Sequence, residues 1–341
     1  MTKIEWTEAT WNPIVGCSLA SPGCTNCYAM KFAGTLLAHV PKYDGLTQET
    51  KAGPVWTGKL HFDEKALLEP LRWKKPRLVF VNSMGDLFHE DCPDDWIDRV
   101  FAVMALCPQH TFQVLTKRSA RMREYCLSRY CSEAGSDNIA DAIEDLRPNT
   151  SWEWDAPLPN VWLGVSVEDQ QRADERIPDL LATPATVRWI SAEPLLGPVS
   201  IIDAMWARDH IVGLDETIDW VAAGGESGKG SRPMHPDWAR SLRDQCATAA
   251  VPFFFKQWGE WEVSLDRERD DPDWRADYSN NYVDHGKSRW LNIEGGRGFH
   301  GDRFVVMRQV GKKRAGRLLD GALHDAMPDF FAQNANNPEA A

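Results

Sequence analysis

Three cysteines near the N-terminus, Cys17, Cys24 and Cys27, are the residues best placed to do chemistry. They lie in Trp11-Asn12-Pro13-Ile14-Val15-Gly16-Cys17-Ser18-Leu19-Ala20-Ser21-Pro22-Gly23-Cys24-Thr25-Asn26-Cys27-Tyr28. Gly16, Ser21, Pro22, Gly23 and Asn26 predict a tight, irregular loop between an apolar stretch and a helical run. Three thiols gathered by one loop can bind a soft metal centre as thiolates. A closed structural site takes four protein ligands, while a site that does chemistry leaves a position open. Iron–sulfur clusters ordinarily have four cysteines, so a cluster held by three has one iron left for a substrate or cofactor. The C-x2-C half suits zinc equally well. A zinc site would need a distant fourth ligand such as His61, His89 or Cys92. Three ordinary buried thiols are the plainest alternative.

The elements that would position this loop are legible as a rhythm of apolar runs followed by helical patterns. Arg77–Asn82 reads as a buried strand, and Pro93–Leu106 as a helix with Trp96, Ile97, Val100, Phe101 and Met104 on one face. Further strands are expected at Thr111–Thr116, Val161–Val165, Ala185–Ile190, Ile218–Ala223 and Val251–Phe255. Helices are expected from Ser119, over Asp169–Leu181 and over Pro236–Ala249. With the stretch before Cys17, about seven strands alternate with helices, which argues for a parallel sheet with helical crossovers. No G-x-G-x-x-G follows the first strand, which weakens a dinucleotide-binding reading. The fold expected is α/β, a complete or partial (β/α) TIM-like barrel spanning residues 1–261. The acidic stretch near 126–160, with Asp137, Asp141, Glu144, Asp145, Glu153 and Asp155, reads as an insertion or lid. Residues 262–327 read as an extension covering the site, with Trp274, Tyr278, Tyr282 and Trp290, and 328–341 as a disordered tail.

Parallel barrels do chemistry at the C-terminal ends of their strands. Those ends carry Asn82-Ser83-Met84-Gly85-Asp86, Thr116-Lys117-Arg118, Ser166-Val167-Glu168-Asp169, Ser191-Ala192-Glu193, Gly224-Gly225-Glu226 and Lys256-Gln257-Trp258. Helix capping is the plainer role for Ser119 and Asp169. Asp86 and Glu193 resist that reading, because small residues flank each directly after a hydrophobic run. The Gly224–Gly225 pair permits close backbone approach to a ligand.

The 38 basic and 50 acidic residues leave a net charge of −12, which argues against broad binding to nucleic acid by phosphate neutralisation. No stretch is apolar enough to span a bilayer, and Met1-Thr2-Lys3-Ile4-Glu5-Trp6 is too polar for a signal peptide. A cytoplasmic protein is expected, with its eight cysteines reduced or metal-bound. Cys107 and Cys246 fall on apolar helical stripes and read as core residues.

A three-cysteine loop after the first strand of such a barrel resembles the radical S-adenosylmethionine superfamily. The usual motif there has gaps of three and two residues and an aromatic before the last cysteine. Here the gaps are six and two, Asn26 precedes Cys27, and Tyr28 follows it. Over nearly the whole chain, Trp11-Asn12-Pro13, the cysteine spacing, Gly224-Gly225-Glu226-Ser227, Lys256-Gln257-Trp258-Gly259 and the run Gly311–Gly321 resemble a phage- and prophage-associated family. That family is known by its three-cysteine motif and was long described as a domain of unknown function.

The superfamily resemblance implies a 4Fe–4S cluster on Cys17, Cys24 and Cys27, with S-adenosylmethionine on the fourth iron. It implies reductive cleavage to a 5′-deoxyadenosyl radical, fed by a flavodoxin- or ferredoxin-like reductant. Cofactor contacts would come from Ser83 and Asp86 (the methionyl ammonium), from Ser166, Glu168, Ser191 and Glu193 (the ribose), and from Gly224 and Gly225 (adenine and carboxylate). The substrate expected is a nucleobase or nucleic acid reached past Lys117, Arg118 and Lys256, with Trp258 stacking on a base and the cations of Gly311–Arg317 extending the track. Pairing of those cations with neighbouring carboxylates is the plainer reading. Two other classes stay open: a zinc-stabilised nucleic-acid-binding protein and an iron–sulfur electron carrier.

Overall fold

The computed structural model describes residues 4–149, 156–202, 217–268, 270–272, 286–294 and 303–328, apart from the side chains of Glu133, Ala134 and Phe304. Two compact units divide the chain: Met1–Val167 with Gln171–Ser191, and Glu168–Gln170 with Ala192–Ala341.

The first unit is built on five parallel strands. They are β1 (Ala9–Trp11), β6 (Leu78–Val81), β7 (Thr111–Thr116), β8 (Val161–Ser166) and β9 (Val187–Ala192), paired in that order. Every residue of β8 and β9 is buried, as expected of strands covered on both faces. Short antiparallel pairs lie between β1 and β6: β2 (Ile14–Val15) with β5 (His61–Phe62), and β3 (Thr47–Thr50) with β4 (Gly53–Trp56). These ribbons, of two to four residues a strand, are too short to stand out in the sequence. With α1 (Tyr28–Gly34) they enclose Val15, Met30, Tyr43, Leu46, Trp56 and Met84, and Cys17 and Cys27 pack against this cluster.

Helix α2 (Glu64–Leu67) starts from a capping Asp63, whose carboxylate accepts the Lys65 and Ala66 N–H groups. Helix α3 (Asp94–Ala105) buries Ile97, Val100, Phe101 and Met104 on the expected face and carries Asp94 and Asp95 at its positive end. Helix α4 (Ser119–Tyr125) follows β7, but Ser119 does not cap it. The Ser119 hydroxyl donates to Asp179 at 2.7 Å instead. The acidic stretch expected as a lid contains the regular helix α5 (Glu133–Leu146), which packs on α3; Glu153 and Asp155 lie outside the described residues. Helix α6 (Gln170–Leu181) connects β8 to β9.

The second unit holds the parallel pair β10 (Trp220–Gly224) and β11 (Phe253–Gln257), joined through α7 (Pro236–Thr248). It also holds an antiparallel sheet, β12 (Trp261–Glu268), β14 (Arg303–Gln309) and β13 (Ser288–Leu291), with β14 central. The stretch expected as a cover thus includes a sheet of its own. Trp290 is buried, while Trp274, Tyr278 and Tyr282 lie outside the described residues, as does most of the tail. A short turn, α8 (Lys312–Ala315), follows β14.

The class is therefore mixed α/β with parallel strands and helical crossovers. A closed barrel is not formed by the described residues, which supply seven parallel strands, five in one unit and two in the other. Eight are needed to close a (β/α) barrel of this type. No described helix is long and apolar enough to cross a membrane.

Candidate metal centre and strand-end site

The cysteine loop is held from both sides by backbone geometry that its neighbours demand. Asn82 ends β6 in the left-handed region, at φ 57°, and the chain turns back along the loop. Asn12 reads that turn: its Oδ1 accepts the Ser83 hydroxyl at 3.1 Å and the Met84 N–H at 2.8 Å. Gly16 N–H then donates to Met84 O at 3.1 Å, and Tyr28 Oη donates to Ser83 O at 2.9 Å. Gly16 has φ 99°, and a Cβ there would lie 2.2 Å from Lys59 O. The Trp-Asn-Pro segment, the Asn-Ser-Met-Gly turn and Gly16 are one interlocked unit, so Ser83 spends its hydroxyl on the loop's frame.

Within the loop, Cys24 Sγ accepts the Ala20 N–H at 3.5 Å and lies 4.0 Å from Ser21 Oγ. Cys17 Sγ donates to Ser18 O at 3.3 Å. Burial pushes the Cys17 thiol up to about 12, with Asp86 adding to the rise and Arg118 opposing it. Cys27 is also raised by burial, against a lowering pull from Lys117. Cys24 adds a like-charge contribution at both of these cysteines, and Cys27 does so at Cys17, so the three sulfurs share one electrostatic neighbourhood. Two cations face it, Arg118 toward Cys17 and Lys117 toward Cys27.

Asp86 sits beneath the loop, buried, with both oxygens occupied. Oδ1 accepts Thr116 Oγ1 at 2.6 Å and Phe88 N–H at 3.1 Å. Oδ2 accepts Lys117 N–H at 3.2 Å and Arg118 Nη1 at 2.9 Å. Arg118 reaches on to Glu90 through Nε and to Ser18 through Nη2. Its guanidinium is consumed inside the chain and presents no cation to a phosphate.

A soft centre held by three thiolates fits this donor set. The thiols are partly exposed, a backbone N–H already points at one sulfur, and two cations stand against the negative charge such a centre would carry. A closed zinc site fits poorly. His89 spends Nε2 on Ser18 Oγ at 2.8 Å and Nδ1 on the Asp91 N–H at 3.1 Å. Cys92 is buried and donates to Pro93 O at 3.8 Å, and His61 is exposed on β5. Among the described residues, no group of three or more His, Cys, Asp or Glu is already placed to hold a metal ion. Thiolates on one zinc stand about 3.8 Å apart at ordinary bond lengths, whereas a multi-iron cluster takes each thiolate on a different iron.

The remaining expected residues fall into two groups. In the first unit, Ser166 and Ser191 are register partners at the ends of β8 and β9, both buried. Ser166 O accepts Arg176 Nη1 at 2.8 Å, and Ser191 O accepts Val167 N–H at 2.9 Å. In the second unit, Glu193 forms a close pair with Lys256, Nζ lying 2.8 and 2.7 Å from its two oxygens, and accepts Gln257 Nε2 at 3.2 Å. Glu168 is fully buried, and its carbonyl accepts Leu196 N–H at 2.8 Å. A Cβ on Gly224 would lie 3.3 Å from Lys256 Cβ and 3.5 Å from Glu193 Cδ, so this glycine accommodates the ion pair. A Cβ on Gly225 would lie 2.3 Å from Trp258 O: the close approach it permits is by the chain's own backbone.

Trp258 is buried, donates its indole N–H to Leu318 O at 2.8 Å, and packs edge-on against Phe255. A ring so enclosed has no face to offer a base. Arg317, expected on the basic track, donates to Lys256 O at 3.0 Å and lies over the Phe254 ring. The plainer reading of the cations, internal pairing, describes Arg118, Lys256 and Arg317.

Sequence reasoning missed Ser18, Glu90 and the bridging role of His89, and it placed Thr116 at a strand end without its bond to Asp86. One signal was available: a strand end carrying Arg118 opposite Asp86 and Glu90, four residues apart, supplies the counter-charges a buried arginine needs.

A parallel α/β scaffold carrying a three-cysteine loop between its first strands defines the class of protein. Residues 1–328 match DUF5131, a family of proteins of unknown function, and the chain belongs to that family. No curated protein and no solved structure matches it.

Proposed function

We propose that this protein is an iron–sulfur enzyme of the radical S-adenosylmethionine type, built on a partial (β/α) barrel. The observation that carries the reading is the donor set: three partly exposed thiols in one braced loop, with the charges of Arg118 and Lys117 acting on Cys17 and Cys27. Cys17, Cys24 and Cys27 would hold a 4Fe–4S cluster, whose remaining iron supplies one-electron chemistry toward bound S-adenosylmethionine.

The chain's own part is orientation and charge. The Asn12–Met84 lock and the Arg118–Ser18 contacts hold the loop in place, and Lys117 and Arg118 offset the negative charge of deprotonated thiolates. The buried Ser166–Ser191 pair offers hydroxyls at the strand ends of the first unit for a ribose, while Glu193 is held by Lys256 and Gln257. Asp86 has its acceptor positions filled by protein donors, so its role in this reading is to anchor Arg118. Arg118, Lys256 and Trp258 are engaged internally, so a nucleobase or nucleic-acid substrate in this reading would have to dock on other residues.

Anaerobic reconstitution of the full chain with iron and sulfide, followed by reduction with S-adenosylmethionine present, tests the reading. A brown protein holding about four irons that releases 5′-deoxyadenosine supports it. A colourless protein that retains one zinc ion overturns it.

A further inference from the structure

We infer that Arg118 is the positioning residue of the cysteine loop, a strut that sets where Cys17 stands relative to the strand ends. The inference rests on reading the three cysteines as a metal centre, and it concerns how this chain prepares that centre. Arg118 lies just past β7, yet Nη2 donates to both Ser18 O at 3.1 Å and Ser18 Oγ at 2.7 Å, next to Cys17. Its other edges are fixed: Nη1 to Asp86 at 2.9 Å, and Nε to the two Glu90 oxygens at 3.0 and 3.2 Å. The Arg118 side chain is 5% exposed and that of Asp86 8%, so neither can swing aside without stranding a charge. A planar fork held at two corners by carboxylates has one direction left for the third, and that direction is the loop.

Ser18 receives a second brace. His89 Nδ1 accepts the Asp91 N–H, so the ring proton is on Nε2 and is donated to Ser18 Oγ. The Ser18 oxygen thus accepts from both Arg118 and His89. Ser18 O, which also accepts the Cys17 thiol in the metal-free chain, ties the strut to the residue directly following the first ligand, a covalent connection that persists when the thiol ionises. Loops of this glycine- and proline-rich type pay a large ordering cost on closing around a metal. A strut that fixes the loop beforehand removes part of that cost, which is preorganisation in the ordinary sense.

Amide hydrogen exchange on the metal-free full chain tests the strut without reference to any bound group. In Arg118→Gly, amides of residues 17–24 should exchange at least tenfold faster than in the wild type, while β8 and β11 keep their protection. Guanidinium ion at a few millimolar, far below denaturing levels, should restore protection, a rescue that a general packing defect would not show. Ser18→Ala, which leaves the buried Asp86–Arg118 pair intact, should loosen the same amides by a smaller factor. It stands in if Arg118→Gly fails to fold. Unchanged protection of residues 17–24 in folded Arg118→Gly or in Ser18→Ala overturns the inference. Failure of the wild type to take up iron overturns the metal reading alone, since the exchange comparison is made on metal-free protein.

Discussion

Asp86 Oδ1 and Thr116 Oγ1 lie 2.6 Å apart, joining the residues that follow β6 to the last residue of β7 beneath the cysteine loop. With Arg118 on the other oxygen, this is a buried ionic network and not an open acceptor. Asp86→Ala should therefore destabilise the fold by about 3–5 kcal/mol, the cost of leaving a buried arginine short of its partner. Asp86→Asn should cost less. Urea unfolding of the metal-free proteins checks this, and a loss below about 1 kcal/mol for the alanine variant would return Asp86 to the pool of ligand contacts.

Gly225 packs against the Trp258 carbonyl with no room for a side chain. Gly225→Ala should cost roughly 1–3 kcal/mol by overpacking, in the absence of any ligand. A variant as stable as the wild type, but impaired in binding S-adenosylmethionine, would show instead that the glycine faces the cofactor.

Cys17 and Cys27 are both held protonated at neutral pH by burial. Metal loading must then expel at least these two protons, and the apparent affinity should rise by at least about 100-fold per pH unit near neutrality. Calorimetry with cadmium in buffers of different ionisation enthalpy counts the protons. Replacing any of Cys17, Cys24 or Cys27 by Ala should abolish iron retention, whereas Cys92, Cys107, Cys126, Cys131 and Cys246 should be replaceable without iron loss. A release of no protons contradicts the first expectation, and iron loss from any of the other five contradicts the second.

His235 caps α7, its Nδ1 accepting the Asp237 N–H at 3.1 Å, and burial pushes its pKa down to about 4 despite Asp237 and Asp266. A histidine depressed on folding is neutral in both states above about 6.5, so the fold keeps its full stability there. As the pH falls toward 4, the unfolded chain takes up the proton first and stability is lost, by roughly 3 kcal/mol once the folded pKa is passed. His235→Asn retains a capping oxygen and should lose less stability between pH 7 and pH 4.5 than the wild type. Equal losses in urea titrations would show that His235 does not govern the acid limb.

The sequence by itself determined the strand–helix alternation, because β8, β9 and β10 are continuous buried runs and α3 carries its apolar face at helical spacing. It also determined the cysteine loop, where spacing and turn residues are local properties. What Arg118, Lys256, Trp258 and Gly225 do was decided only by tertiary structure. Each sits at a strand end whose local sequence suits a ligand contact as well as an internal one. The choice rests on partners 28 to 100 positions away: Glu90 and Ser18 for Arg118, Glu193 for Lys256, Leu318 for Trp258 and the Trp258 carbonyl for Gly225. A charge or a ring is drawn to whichever partner burial brings near, and burial is a property of the folded chain, not of its neighbours in sequence.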